Sequence, residues 1–123
     1  MIFCPLTETV RERKSLRREY RAAKATGVIR PGETCFFFRR GIKIYYVGYS
    51  EIMKCFRRVM LISAGGDNGN MKLETLVIAD KEKELAQVQV PGTDAAKLLL
   101  DELKVKMPHA DFSCPNKTEE GDK

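Results

Sequence analysis

The sequence predicts an α+β fold: an antiparallel β-meander closed by a C-terminal helix, with an extra helix at the N-terminus. Three observations carry that expectation. Between Thr34 and Val90 the apolar residues come in short runs separated by Gly, Asn and Asp, which is how strands and turns alternate. After Pro91-Gly92 the period becomes helical, and Ala95, Ala96, Leu99, Leu100, Leu103 and Met107 form one broad stripe. Before Gly27, residues 7–26 contain neither Gly nor Pro and read as a second, highly charged helix.

The elements follow in order. Thr7 is the expected N-cap of helix 7–26 and Gly27 its stop. The apolar stripe of this helix is thin, comprising Val10, Leu16, Tyr20 and Ala23. A helix so polar is marginal unless it docks on something, and an acidic surface is the expected dock. Arg30-Pro31-Gly32 reads as a turn. Thr34–Arg39 and Ile42–Tyr49 then read as a hairpin in which Gly41 supplies positive φ. Both faces of 42–49 are largely apolar, so this strand is expected to be covered on both sides. Gly48–Glu51 is a bend, and strands are expected at 52–63, 71–79 and 85–90, the last two joined by the turn Asp80–Lys83. Thr93 is the expected cap of helix 94–107, Pro108 ends it, and His109–Phe112 return as a short extended piece. This divides the chain into a basic helical segment 1–31, a β-domain with its C-terminal helix over 32–115, and a polar tail 116–123.

The chain has 123 residues, 43% of them hydrophobic and 32% charged, a composition typical of a single globular domain. No run approaches the ~20 apolar residues of a membrane span. Met1–Leu6 lacks the form of an export signal, which points to a reducing cytoplasm. Cys4, Cys35, Cys55 and Cys114 include no CxxC pair, and the nearest His–Cys pair, His109 with Cys114, is flanked by prolines. Neither a disulfide framework nor a metal site is expected, and no cofactor.

Charge is strongly polarised along the chain. Residues 1–31 carry eight Lys or Arg against three Glu, residues 32–64 six against two, and residues 65–123 eight against twelve acidic groups. Such asymmetry bears on partners, not on fold.

The stretch Tyr45-Tyr46-Val47-Gly48-Tyr49-Ser50-Glu51-Ile52, followed by a long meander and an amphipathic helix, resembles the bacterial pleckstrin-homology-like (PH-like) domains. Those domains often carry an apolar-x-Tyr-x-acidic-Ile corner where the second strand turns into the third. The resemblance spans residues 32–112. It departs from the family in showing five strands where a full PH-like barrel has seven, and in its helical N-terminus. It implies a curved sheet or split barrel and a binding or assembly module with no chemistry of its own. It also implies that Arg39, Arg40 and Lys43 stand where eukaryotic relatives grip phosphoinositide head groups, an activity that bacterial members generally lack.

The remaining motifs favour the plain reading. The lone His109 sits between prolines, Ser50 and Ser63 have no GxSxG elbow, and Glu33, Glu51 and Glu74 read as scattered, solvent-facing carboxylates. An enzyme is therefore not expected. The loop Gly65–Asn70 lacks the GK[ST] ending of a phosphate cradle and the acidic ligand of a calcium loop. Phe36–Phe38 with Tyr45 and Tyr46 could stack bases, but aromatics at strand spacing are usually core.

What remains is the basic residues. Arg39, Arg40 and Lys43 cluster at the first hairpin, with Arg57 and Arg58 on the following strand. Arg11, Lys14, Arg17, Arg18 and Arg21 line helix 7–26. The leading expectation is protein–protein interaction, above all self-association into a homo-oligomer. Nucleic-acid binding through helix 7–26 is the alternative, and anionic head groups at the hairpin come third.

Overall fold

A computed structural model of the chain describes residues 1–63 and 70–114. The elements, in chain order, are β1 (Ile2–Pro5), α1 (Arg13–Ala22), β2 (Ile29–Pro31), β3 (Cys35–Arg40), β4 (Lys43–Gly48), β5 (Lys54–Ser63), β6 (Asn70–Ala79), β7 (Glu84–Gln89) and α2 (Thr93–Lys106), with a 3₁₀ turn at Tyr49–Glu51 between β4 and β5. The α+β class holds. The single meander does not: the strands form a mixed four-stranded sheet in the order β1-β4-β3-β2 and an antiparallel three-stranded sheet β5-β6-β7. The described strands do not close into a barrel.

The split falls where the sequence places its bend. Tyr49 is buried, its N–H donates to the Thr34 carbonyl (3.0 Å), and its hydroxyl donates to the Gly32 carbonyl (2.7 Å). That anchoring and the 3₁₀ turn redirect the chain from β4 into the second sheet. Ile52, fully buried just beyond, opens the common core. Ile29, Phe36, Phe38 and Val47 of the first sheet meet Cys55, Leu76, Ile78 and Val88 of the second, and Ala96, Leu99, Leu103 and Met107 of α2 complete the cluster. The predicted lid is therefore in place, packed on β5 and β6. Its N-terminus differs in one detail: Gly92, at φ 119°, occupies the cap position, and the Thr93 hydroxyl donates to Glu74 instead (2.8 Å).

The outer face of the four-stranded sheet has a second apolar cluster. Leu16 and Tyr20 of α1 cover Cys35, Phe37, Ile44 and Tyr46, with Phe3 at the margin. β4 thus lies between two strands and under two layers, as its two-faced sequence requires. Residues 1–31 supply β1, α1 and β2 to this sheet and its cover. β1 runs parallel to β4, from Ile2 opposite Lys43 to Pro5 opposite Tyr46. The expected turn at Arg30-Pro31-Gly32 is in part strand β2, with Arg30 opposite Phe37. Proline is tolerated there because β2 is an edge.

α1 is shorter than residues 7–26. The stretch before it bends at residues 6–8 and is tied to the sheet instead: Leu6 N–H donates to the Tyr46 carbonyl (2.9 Å), and Arg11 N–H donates to the Tyr46 hydroxyl (3.1 Å). At the other end Ala23 is extended, and the Arg30 guanidinium donates to the carbonyl of Tyr20 (3.1 Å). Gly27, at φ 62°, serves a tight turn in which Thr26 and Ile29 exchange backbone hydrogen bonds, rather than stopping the helix. At the first hairpin Gly41 does adopt the expected positive φ, 61°. The returning C-terminal piece is also present, with Asp111 bridging in parallel to Lys54. The tail 116–123 and the loop readings at 65–69 lie outside the described residues.

Candidate functional site

The basic residues singled out by sequence divide into three groups, and only part of them converge. The first is α1. At 100° per residue, Lys14, Arg17, Arg18 and Arg21 fall within an arc of about 100° centred about 130° round the helix from the Leu16–Tyr20 stripe. All four are exposed, as are Arg13 and Lys24. Among the described residues no carboxylate forms an ion pair with any of them. Arg11 does not belong to this face. It precedes the helix and turns inward, its guanidinium donating to the Thr34 hydroxyl (3.0 Å).

The anchor of this face is Glu19, which sequence reasoning passed over. Its carboxylate accepts the Thr34 hydroxyl (2.7 Å) and the backbone N–H groups of Thr34 (2.5 Å) and Cys35 (2.7 Å). One acidic residue therefore ties the helix to the start of β3, where a charge-assisted acceptor is worth more than a neutral one. A Cβ on Gly32 would collide with the Glu19 side chain, so only glycine admits this approach. Cys35 lies beneath, and burial pushes its thiol above the ordinary range. The Arg30 guanidinium stacks 4.5 Å from the centroid of Tyr20, adding a cation–π contact at the other end of the helix.

The second group is the hairpin end. Strand alternation places Arg39 on the same sheet face as Phe37, hence on the face that carries α1. Arg40 and Lys43, paired across the hairpin, point to the other face. Arg40 is partly committed: it donates to the Gln87 carbonyl (2.8 Å) and lies 5.1 Å from the Phe38 ring centroid. Arg39 and Arg40 also border an open cleft of about 510 Å³, walled by Val28 on one side and by Thr75, Gln87 and Val90 on the other.

The third group fails as a free anion site. The Arg57 Nε and Glu74 Oε1 atoms lie 2.7 Å apart, and Glu74 is buried rather than solvent-facing. Neither atom makes a well-directed hydrogen bond, so the pair is held by charge more than by geometry. Alternation along β6 sets Glu74 on the core side with Leu76 and Ile78, which is why it is enclosed. Arg58 points outward but is neutralised by Glu84 (2.7 Å) and bonded to Gln87 (2.8 Å).

His109 also has a structural place. Its Nε2 lies between the carbonyl oxygens of Tyr49 (3.1 Å) and Ile52 (3.0 Å), so an N–H there serves both and pins the C-terminal piece to the corner. Among the described residues no group of three or more His, Cys, Asp or Glu is placed to hold a metal ion. No described helix is long and apolar enough to cross a membrane. Tyr49, its hydroxyl pKa pushed up mainly by burial and secondly by Glu102, remains a hydrogen-bond donor.

No family model, no curated protein and no solved structure matches this chain. The cationic face has to be interpreted from its own geometry.

Proposed function

We propose that this chain is a non-enzymatic binding module of the PH-like type that docks a polyanionic partner on the cationic face of α1 together with Arg39. One observation carries the reading: Lys14, Arg17, Arg18 and Arg21 stand exposed and unpaired among the described residues, on a helix secured by other means. Leu16, Tyr20 and Glu19 hold the helix, so its cations are not consumed in folding. Exposed like charges repel one another, at a cost of a few tenths of a kcal/mol per neighbouring pair, and an anionic partner relieves that repulsion.

The PH-like reading draws on the two meanders β2–β4 and β5–β7, the Tyr49-x-Glu51-Ile52 corner between them and the amphipathic α2 that follows. The parallel β1 and α1 are additions to that pattern. Among polyanions a nucleic-acid backbone is the first choice, because a row of Lys and Arg neutralises a row of phosphates. The expected dock of α1 on an acidic surface is corrected: the helix docks on the apolar face of its own chain's sheet.

Fluorescence anisotropy with a labelled duplex oligonucleotide tests the proposal. The intact chain is expected to bind at low salt, and Arg17→Glu with Arg21→Glu to weaken or abolish binding while leaving the circular dichroism spectrum unchanged. Equal binding by the two proteins would refute it.

A further inference from the structure

The second sheet ends on a strand whose outer edge is largely unpaired among the described residues. β5 pairs with β6 over its whole length, Lys54 with Ala79 through Ser63 with Asn70. On its other side, among the described residues, only the start is occupied: Cys55 N–H donates to the Asp111 carbonyl (3.0 Å) and Asp111 N–H to the Met53 carbonyl (2.8 Å). Beyond Cys55 no described strand lies along that edge. Because the Cys55 N–H points outward, strand alternation turns the N–H and C=O groups of Arg57, Val59 and Leu61 outward as well. The same stretch exposes three consecutive apolar side chains, Val59 at 37%, Met60 at 38% and Leu61 at 66%. Natural edges are usually blunted by proline, inward charge or a cover, and none of these protects Val59–Leu61 among the described residues.

We infer that this edge pairs with the same edge of a second copy, in antiparallel register about a two-fold axis, joining two three-stranded sheets into one of six strands. The charge pattern selects this occupant. β5 carries Lys54, Arg57 and Arg58 and no acid, but Arg57 and Arg58 are already neutralised within each copy by Glu74 and Glu84. Two copies can therefore approach without strong repulsion, while a charged peptide gains little. Centred on Val59, the register sets Val59 against Val59, Arg57 against Leu61 and Arg58 against Met60 of the second copy. The outward groups of Arg57, Val59 and Leu61 then meet as hydrogen-bonded pairs. Centring on Arg57 or Arg58 would put like charges directly opposite, which destabilises a ladder. The interface is isologous, so it closes at a dimer. It involves the sheet that does not carry α1, and it stands independently of the polyanion reading.

Sedimentation velocity of the full chain tests it, with two variants. Val59→Pro removes an outward N–H at an edge position that tolerates proline, and Leu61→Lys places a charge on the most exposed of the three residues. The intact chain is expected to be a dimer that persists at ~1 M salt, where charge attraction is screened beyond about 3 Å. Both variants are expected to weaken the dimer at least ~10-fold, a loss of ~1.4 kcal/mol. If Val59→Pro unfolds, Leu61→Lys decides alone, since its side chain packs least. A chain that stays monomeric to its solubility limit, a dimer lost at high salt, or variants that dimerise as tightly as the parent would overturn the inference.

Discussion

Glu19 shows how much one residue can organise. It is the single acid in the middle of a basic helix, and it receives three donors from the start of β3. Replacing it by Ala leaves two backbone N–H groups short of an acceptor, for an expected loss of about 2–4 kcal/mol; thermal unfolding of Glu19→Ala against Glu19→Gln measures it, with Gln recovering part of the loss. The thiols offer a second measurement. Cys114 is exposed, whereas Cys35 and Cys55 are buried, and burial pushes the Cys55 pKa up to about 12. A thiol reagent at mildly alkaline pH is expected to modify Cys114 promptly and Cys55 only on unfolding. A thiol held neutral in the fold binds its proton more tightly there than in the unfolded chain. Its contribution is fully present below the ordinary thiol value of 9.0 and is lost as pH rises towards about 12. Cys55→Val is expected to flatten that alkaline decline, as urea midpoints across this pH window would show. Neither Glu19 nor the buried Arg57–Glu74 pair was legible in the sequence. A lone Glu among bases and a Glu between apolar strand residues look solvated until the strand register and the neighbouring helix are known.

At the scale of elements, strong periodicity was readable and short pieces were not. The α2 stripe and β3 through β7 follow the sequence closely, because each contains enough alternation or helical spacing to fix its buried face. β1 and β2, with four and three residues, carry no such signal. The pairing of β1 with β4 joins segments some forty residues apart in parallel, and nothing local announces it. The length of α1 was overestimated because residues 7–12 have helical composition but bend after β1, and Arg11 N–H is taken by the Tyr46 hydroxyl. The two helices respond differently to substitution. Leu99→Asp or Leu103→Asp buries a charge in the common core and is expected to cost several kcal/mol, threatening the whole fold. Leu16→Ala, in the smaller cluster, is expected to cost about 2–4 kcal/mol and to loosen α1 first. Hydrogen exchange would show this as lost protection in residues 13–22 with the β5–β7 ladder intact.

At the scale of the whole molecule, the chain is a three-tiered body. α1 covers one face of the first sheet, the other face meets the second sheet across the common core, and α2 closes that core. The charge asymmetry visible along the sequence becomes a spatial one: Lys14, Arg17, Arg18 and Arg21 sit together on the outside of α1, and Arg39 shares their side of the sheet. The sequence identified most of these residues, but it could not separate those without an ion pair among the described residues, such as Lys14 and Arg17, from those used internally, Arg11, Arg57 and Arg58. That distinction depends on which carboxylates and carbonyls the fold brings within reach.

The salt dependence of duplex binding tests the cationic face most directly. If four cations of α1 each neutralise a phosphate, the logarithm of the binding constant falls against the logarithm of salt concentration with a slope of about −4, and Arg17→Glu with Arg21→Glu reduces the slope to about −2 or eliminates binding. A slope near zero, or one unchanged by reversing Arg17 and Arg21, would contradict a partner docked on this helix.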